Sequence, residues 1–278
     1  NNGTLELLSS SDEPFDEFFV GGLIGYLSFY HLDGRVNIHK CTEAGTITSV
    51  LKKGSIGGMI GKVGFEYHPQ NYPDDYGIIS NKVDITSSAV SHMVNVYCQG
   101  CTVGGVIGTV SSEYPYYANT VDISVTGNQD INVKCSNCVV GGVIGTVKDT
   151  VQSTVSITDT TLHGTLDVTS DIMDHSATGG FIGSVANNSD LTLSISKSTS
   201  NSKITTKRVD KVGGIIGTYS NSKNIIHGAK LYLEKAQNNG DISSDNSSIV
   251  GGLVGFIFNI NSATITGCSN YGTLTTNS

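Results

Sequence analysis

Gly104-Gly105-Val106-Ile107-Gly108 and Gly141-Gly142-Val143-Ile144-Gly145 are two copies of one pentapeptide that the sequence holds seven times. The others are Gly21-Gly22-Leu23-Ile24-Gly25, Gly57-Gly58-Met59-Ile60-Gly61, Gly179-Gly180-Phe181-Ile182-Gly183, Gly213-Gly214-Ile215-Ile216-Gly217 and Gly251-Gly252-Leu253-Val254-Gly255. Successive copies lie 36, 47, 37, 38, 34 and 38 residues apart. A period in this range means that one supersecondary unit stacks repeatedly to bury a shared core. The 278 residues therefore read as a single array over 1–278, with motifs starting at 21, 57, 104, 141, 179, 213 and 251. The chain opens without Met and stops part-way into a further repeat, so we expect it to be a segment of a longer protein.

The segments between motifs are filled with Ser, Thr, Val and Ile, and the chain has 34 Gly, 4 Pro and no Trp. This composition suits short strands and tight turns. Two strand candidates separate the motifs, typified by Val121-Asp122-Ile123-Ser124-Val125 with Ile131-Asn132-Val133, and by Thr154-Val155-Ser156-Ile157 with Thr165-Leu166-Asp167-Val168. With the motif itself, that makes three strands per repeat. The expected fold is an all-β solenoid, a β-helix of seven coils and roughly triangular section, rising ~4.8 Å per coil. The alternative is a seven-bladed β-propeller, but three strands fall short of the usual four per blade and no Trp-Asp signature appears.

With the first Gly of each motif numbered zero, offset −1 is Val20, Ile56, Val103, Val140, Thr178, Val212 and Val250, and offset +6 is Leu27, Val63, Val110, Val147, Val185, Tyr219 and Ile257. Alternation along a straight strand would send −1 and +3 to one face, +2 and +6 to the other. Both faces are apolar. A straight strand would thus expose a strip of Leu23, Met59, Val106, Val143, Phe181, Ile215 and Leu253, an interface candidate. A bend at a glycine, or cover from elsewhere in the chain, is the other reading.

Gly251-Gly252-Leu253-Val254-Gly255, continued by Thr264-Ile265-Thr266-Gly267-Cys268-Ser269-Asn270-Tyr271-Gly272-Thr273-Leu274, resembles the GLUG repeat motif of bacterial and protist surface proteins. The resemblance covers nearly the whole chain, although most copies have Ser or Thr, or neither, where the motif has Cys. It implies a secreted or cell-surface β-solenoid, the stalk or passenger of an adhesin-like protein, with no catalytic residues. Its partners would be further copies of itself, surface or matrix proteins, or glycans.

Four of the six Cys form Cys98-Gln99-Gly100-Cys101 and Cys135-Ser136-Asn137-Cys138, one repeat apart. Stacking brings equivalent Cα atoms to ~4.8 Å, inside the disulfide window, so bridges Cys98–Cys135 and Cys101–Cys138 would tie two coils together. Bridges within each pair are the alternative, and a four-Cys zinc site has compatible spacing. The extracellular setting implied by the resemblance, with the low charge content, favours disulfides. Cys41 and Cys268 occupy similar places in the first and last repeats, as free thiols or as links to other chains.

The net charge of −8 leaves no basic footprint for nucleic acid, and no apolar run reaches the ~20 residues that span a bilayer. The recurring Gly-Gly-x-x-Gly lacks dinucleotide-binding spacing, and Lys62 after Gly61 lacks the remaining residues of a phosphate loop. No cofactor is expected. Asp84 and Asp122 share a Val-Asp-Ile strand in adjacent repeats, where they could share Ca²⁺ or, with the loop from His68 to Gly77, act on a polysaccharide. A solvated surface pair is the plainer reading. Asn2, Asn187 and Asn246 begin glycosylation sequons.

Overall fold

A computed structural model describes residues 3–8, 18–29, 34–65, 79–112, 117–150, 152–186, 190–221 and 228–277. Every regular element among them is a strand, and every strand pairing is parallel, as in a β-solenoid. The strands that follow the glycine pairs form one seven-stranded sheet in chain order: Ile24–Phe29, Ile60–Phe65, Ile107–Ser112, Ile144–Lys148, Ile182–Ala186, Ile216–Ser220 and Val254–Phe258. A second sheet carries all the other strands. One coil runs through Ile144–Lys148, Thr154–Thr158, Thr161–Ser170 and Ala177–Gly179, three main strands and a short fourth that leads into the next glycine pair. Six steps of ~4.8 Å separate the first and last coils, about 29 Å.

Register keeps like above like. Val155 pairs with Val121 below and Leu193 above, and Ile157 with Ile123 and Ile195, so each apolar position becomes a column. Corners recur in the same way. Lys40, Ser87, Asp159, Lys197 and Lys235 have φ between 46° and 53°, and Gly267 has 62°. The next residue is Cys41, Ser88, Thr160, Ser198, Ala236 or Cys268, a small side chain at the inside of the turn. Thr160 Oγ1 donates to Thr158 O and accepts from Val125 N one coil below; Ser198 Oγ repeats the bonding one coil above. Cys41 and Cys268 stand at this corner, each thiol near the carbonyl two residues back. Their resemblance to Ser and Thr in other copies is therefore one of position.

The coil encloses two apolar cores rather than the single core of a simple triangular section. One lies between the seven-stranded sheet and the strands typified by Val121 and Ile123; the other lies between the strands typified by Ile131 and Val133 and the offset −1 column of Ile56, Val103, Val140 and Val212. The chain crosses between them at the glycine pair. A bend there turns offset +2 inward, and the register passes from Ile144↔Ile182 directly to Thr146↔Ser184, skipping Gly145. That irregularity breaks simple alternation, so +2, +3 and +6 enter one core while +5 points away from it, with Thr109, Thr146, Ser184 and Thr218 still buried. The two strands press together so closely that a Cβ on Gly104 would sit 1.8 Å from Ile107 O and 2.7 Å from Gly145 N. Only glycine fits that waist.

Candidate functional site

The bend removes the expected outward strip. Met59, Val106, Val143, Phe181 and Ile215 are fully buried in the first core; Leu23 and Leu253, in the end coils, are partly exposed. The five inner positions are core rather than an exposed strip, because the bend at the second glycine replaces the straight strand on which an exposed face depends.

Exposed apolar side chains lie along the stack, at Val50, Met93, Tyr97 and Ile172 among others, and at the last described coil. Ile257, Phe258, Ile265 and Leu274 are 37–49% exposed, and their strands Val254–Phe258, Ser262–Thr266 and Leu274–Asn277 pair on one side only among the described residues. Ile265 stands in the column Ile157, Ile195, Leu233, and Leu274 in the column Ile204, Ile242. Both continue core columns into the last described coil. At the other end, Leu5 begins the column of Ile47 and Val94, and among the described residues Ile24–Phe29 pairs with Ile60–Phe65 alone.

The disulfides fall within each Cys-x-x-Cys, Cys98–Cys101 and Cys135–Cys138, with Cα separations of 6.1 and 6.0 Å. Register does set Cys98 against Cys135 and Cys101 against Cys138, as stacking requires. The expected inter-coil bridges are nonetheless replaced by local ones, since each pair spans a turn that already brings its ends into bonding range. Cys41 and Cys268 are unbridged.

Asp84 and Asp122 are directly in register, but Lys82 Nζ lies 3.1 Å from Asp84 and 3.0 Å from Asp122. The hydrogen bond to Asp122, then that to Asp84, holds the Lys82 ammonium above the usual lysine range. The chain's own cation therefore occupies the place assigned to Ca²⁺. Asn246 is exposed at a corner with φ 53°, whereas Asn2, Asn187 and the loop from His68 to Gly77 lie outside the described residues.

A buried polar column lies against the glycine waist that the repeat pattern did not reveal. A Cβ on Gly58 would meet His92, one on Gly105 Gln129, one on Gly180 Ser200, one on Gly214 Asn238 and one on Gly252 Asn270, with the apolar Leu162 interrupting the run at Gly142. Glu43 Oε2 lies 2.6 Å from His92 Nδ1, both side chains almost wholly buried, without the alignment of a good hydrogen bond. Further up, Asn238 Nδ2 donates to Gly240 O and to Asn270 Oδ1, and Asn270 Nδ2 donates to Gly272 O. The glycines leave space for these side chains, of which Asn238 and Asn270 meet backbone carbonyls, while the ring nitrogens of His92, the amide of Gln129 and the hydroxyl of Ser200 are buried without a hydrogen-bond partner among the described residues. Such a column braces the fold, and its enclosure keeps it from substrate. The spacings Asn238-Asn239-Gly240 and Asn270-Tyr271-Gly272 are the sequence trace of its upper part.

Fold and columns together define a parallel β-solenoid built from a glycine-waisted repeat. No protein-family model matches the chain, and no curated protein or solved structure matches it with significance.

Proposed function

We propose that this chain is a non-enzymatic, extracellular structural or adhesive β-solenoid, a surface stalk or fibre subunit whose repeat is of the GLUG type. The observation that supports the reading is the register: Ile24 to Val254, Leu27 to Ile257 and Leu5 to Leu274 are unbroken columns through the stack. Further coils, in the same chain or in a second copy, would continue both cores without a change of repeat. The two local disulfides suit an oxidising compartment.

The test is sedimentation velocity with negative-stain microscopy across a concentration series. End-to-end species that Ile265→Lys with Leu274→Lys disperse, with circular dichroism unchanged, would support the reading. A monomer at every concentration would remove the fibre version and leave the stalk. The carbohydrate-cleaving alternative through Asp84 and Asp122 is weakened by the Lys82 bridge, which ties up both carboxylates.

A further inference from the structure

On the outer side of the waist, in the first four coils, lies a recess of about 80 Å³ lined by Phe19, Lys53, Ser55, Lys62, Thr109 and Lys148, among others. Its two walls come from the two sheets. Phe19, Ser55 and Thr102 are in register on the strands before the glycine pairs, while Lys62 and Thr109 are in register on the strands after them. Offset +5 is the position that the bulge turns away from the first core, so the recess is a consequence of the repeat, but its lysines are peculiar to these coils. Higher up, Thr146, Ser184 and Thr218 replace Lys62 at the same offset.

None of the three lysines pairs with a described carboxylate, although the chain holds 24 acidic residues and a net charge of −8. Lys62 Nζ instead lies 4.9 Å from the centre of the Phe19 ring and 5.3 Å from that of Tyr26. At the floor, Ser55 Oγ lies 2.7 Å from Gly61 O and 2.8 Å from Thr109 Oγ1, both side chains buried. Three lysines, the Thr109 hydroxyl and an aromatic wall around one recess, with no described carboxylate in its lining, suit an oxyanion, since charge-assisted hydrogen bonds are the strong ones. Phe19 adds a flat apolar face on which a sugar ring can rest.

We infer that this recess binds a sulfate or carboxylate group, free or carried on an acidic saccharide, through Lys53, Lys62 and Lys148. The proposal rests on observations separate from the stacked columns, so it stands or falls apart from the assembly reading. Its test is calorimetric titration of the native chain at low ionic strength with inorganic sulfate and, separately, a sulfated uronic-acid disaccharide. Amide shifts of Gly100, Thr102 and Thr109 would be followed by NMR. Saturable binding that weakens about tenfold with Lys62→Gln, is lost when Lys53→Gln and Lys148→Gln are added, and survives Lys82→Gln would support the site. Tighter binding of the disaccharide than of sulfate supports a saccharide ligand; equal binding supports the free anion alone and overturns the saccharide. No saturable binding of either probe, or the same affinity in a folded triple variant, overturns the proposal. Retention in Lys62→Arg would show that charge, rather than packing, carries the effect.

Discussion

Gly104→Ala tests whether the glycine pair is the structural device that builds each coil. The added Cβ would stand 1.8 Å from Ile107 O, 1.6 Å short of the 3.4 Å at which ordinary contact begins (3.4 − 1.8), and 2.7 Å from Gly145 N. These are backbone atoms, so no side chain can swing away. Relief requires moving the bend, whose links to the next coil are Gly105 N→Gly141 O at 3.1 Å and Val106 N and Ile107 N→Val143 O, both at 2.9 Å. Losing two such buried bonds at about 1–3 kcal/mol each gives a destabilisation of roughly 4 kcal/mol. For a chain of this size that is on the order of 10 °C in Tm. Gly100→Ala is the internal control, because its Cβ would meet nothing nearer than Asn137 O at 3.8 Å. It should leave stability unchanged or raise it by up to about 1 kcal/mol. Urea unfolding followed by circular dichroism compares the two. Equal midpoints for Gly104→Ala and Gly100→Ala would refute the waist argument.

Tyr219 fills the first core with its hydroxyl buried and unbonded. Tyr219→Phe should therefore stabilise the protein by about 1 kcal/mol. Burial also raises the Tyr219 pKa above that of a free tyrosine, so the unfolded chain ionises first and native stability falls as pH rises above about 10; urea melts at high pH should show a shallower fall in the Phe variant. Glu43→Leu would leave His92 buried without its neighbour and should cost about 2–4 kcal/mol, most of it recovered in the double variant with His92→Leu; full additivity in the cycle would contradict coupling across the waist. Peptide mapping without reduction should recover the links Cys98–Cys101 and Cys135–Cys138 with Cys41 and Cys268 alkylated, and inter-coil links would contradict the local pairing.

The repeat period and the apolar columns were legible because seven near-identical pentapeptides mark the register directly. The direction of the columns was not. Offsets +2, +3 and +6 cannot share a face of a straight strand, and only a bend at Gly142 and a bulge at Gly145 bring Val143, Ile144 and Val147 into one core. The cysteine pairing was undecidable from spacing because in-register and within-pair bridges both fall inside the disulfide window. The waist column escaped notice because its chemistry changes from coil to coil, Glu43, His92 and Gln129 giving way to Ser200 and Asn238. Lys53, Lys62 and Lys148 meet only in the coil stack, where offsets −4, +5 and +7 of different repeats face one recess. No spacing within one repeat announces that meeting.

The central claim is that a glycine pair turns the chain in every coil of one parallel solenoid. Cryo-electron microscopy of the native chain, at a resolution that separates strands, tests it most directly. The account predicts parallel strands layered ~4.8 Å apart, with Met59, Val106, Val143, Phe181 and Ile215 enclosed in one core. Blades of antiparallel strands, or those five side chains on the surface, would contradict it.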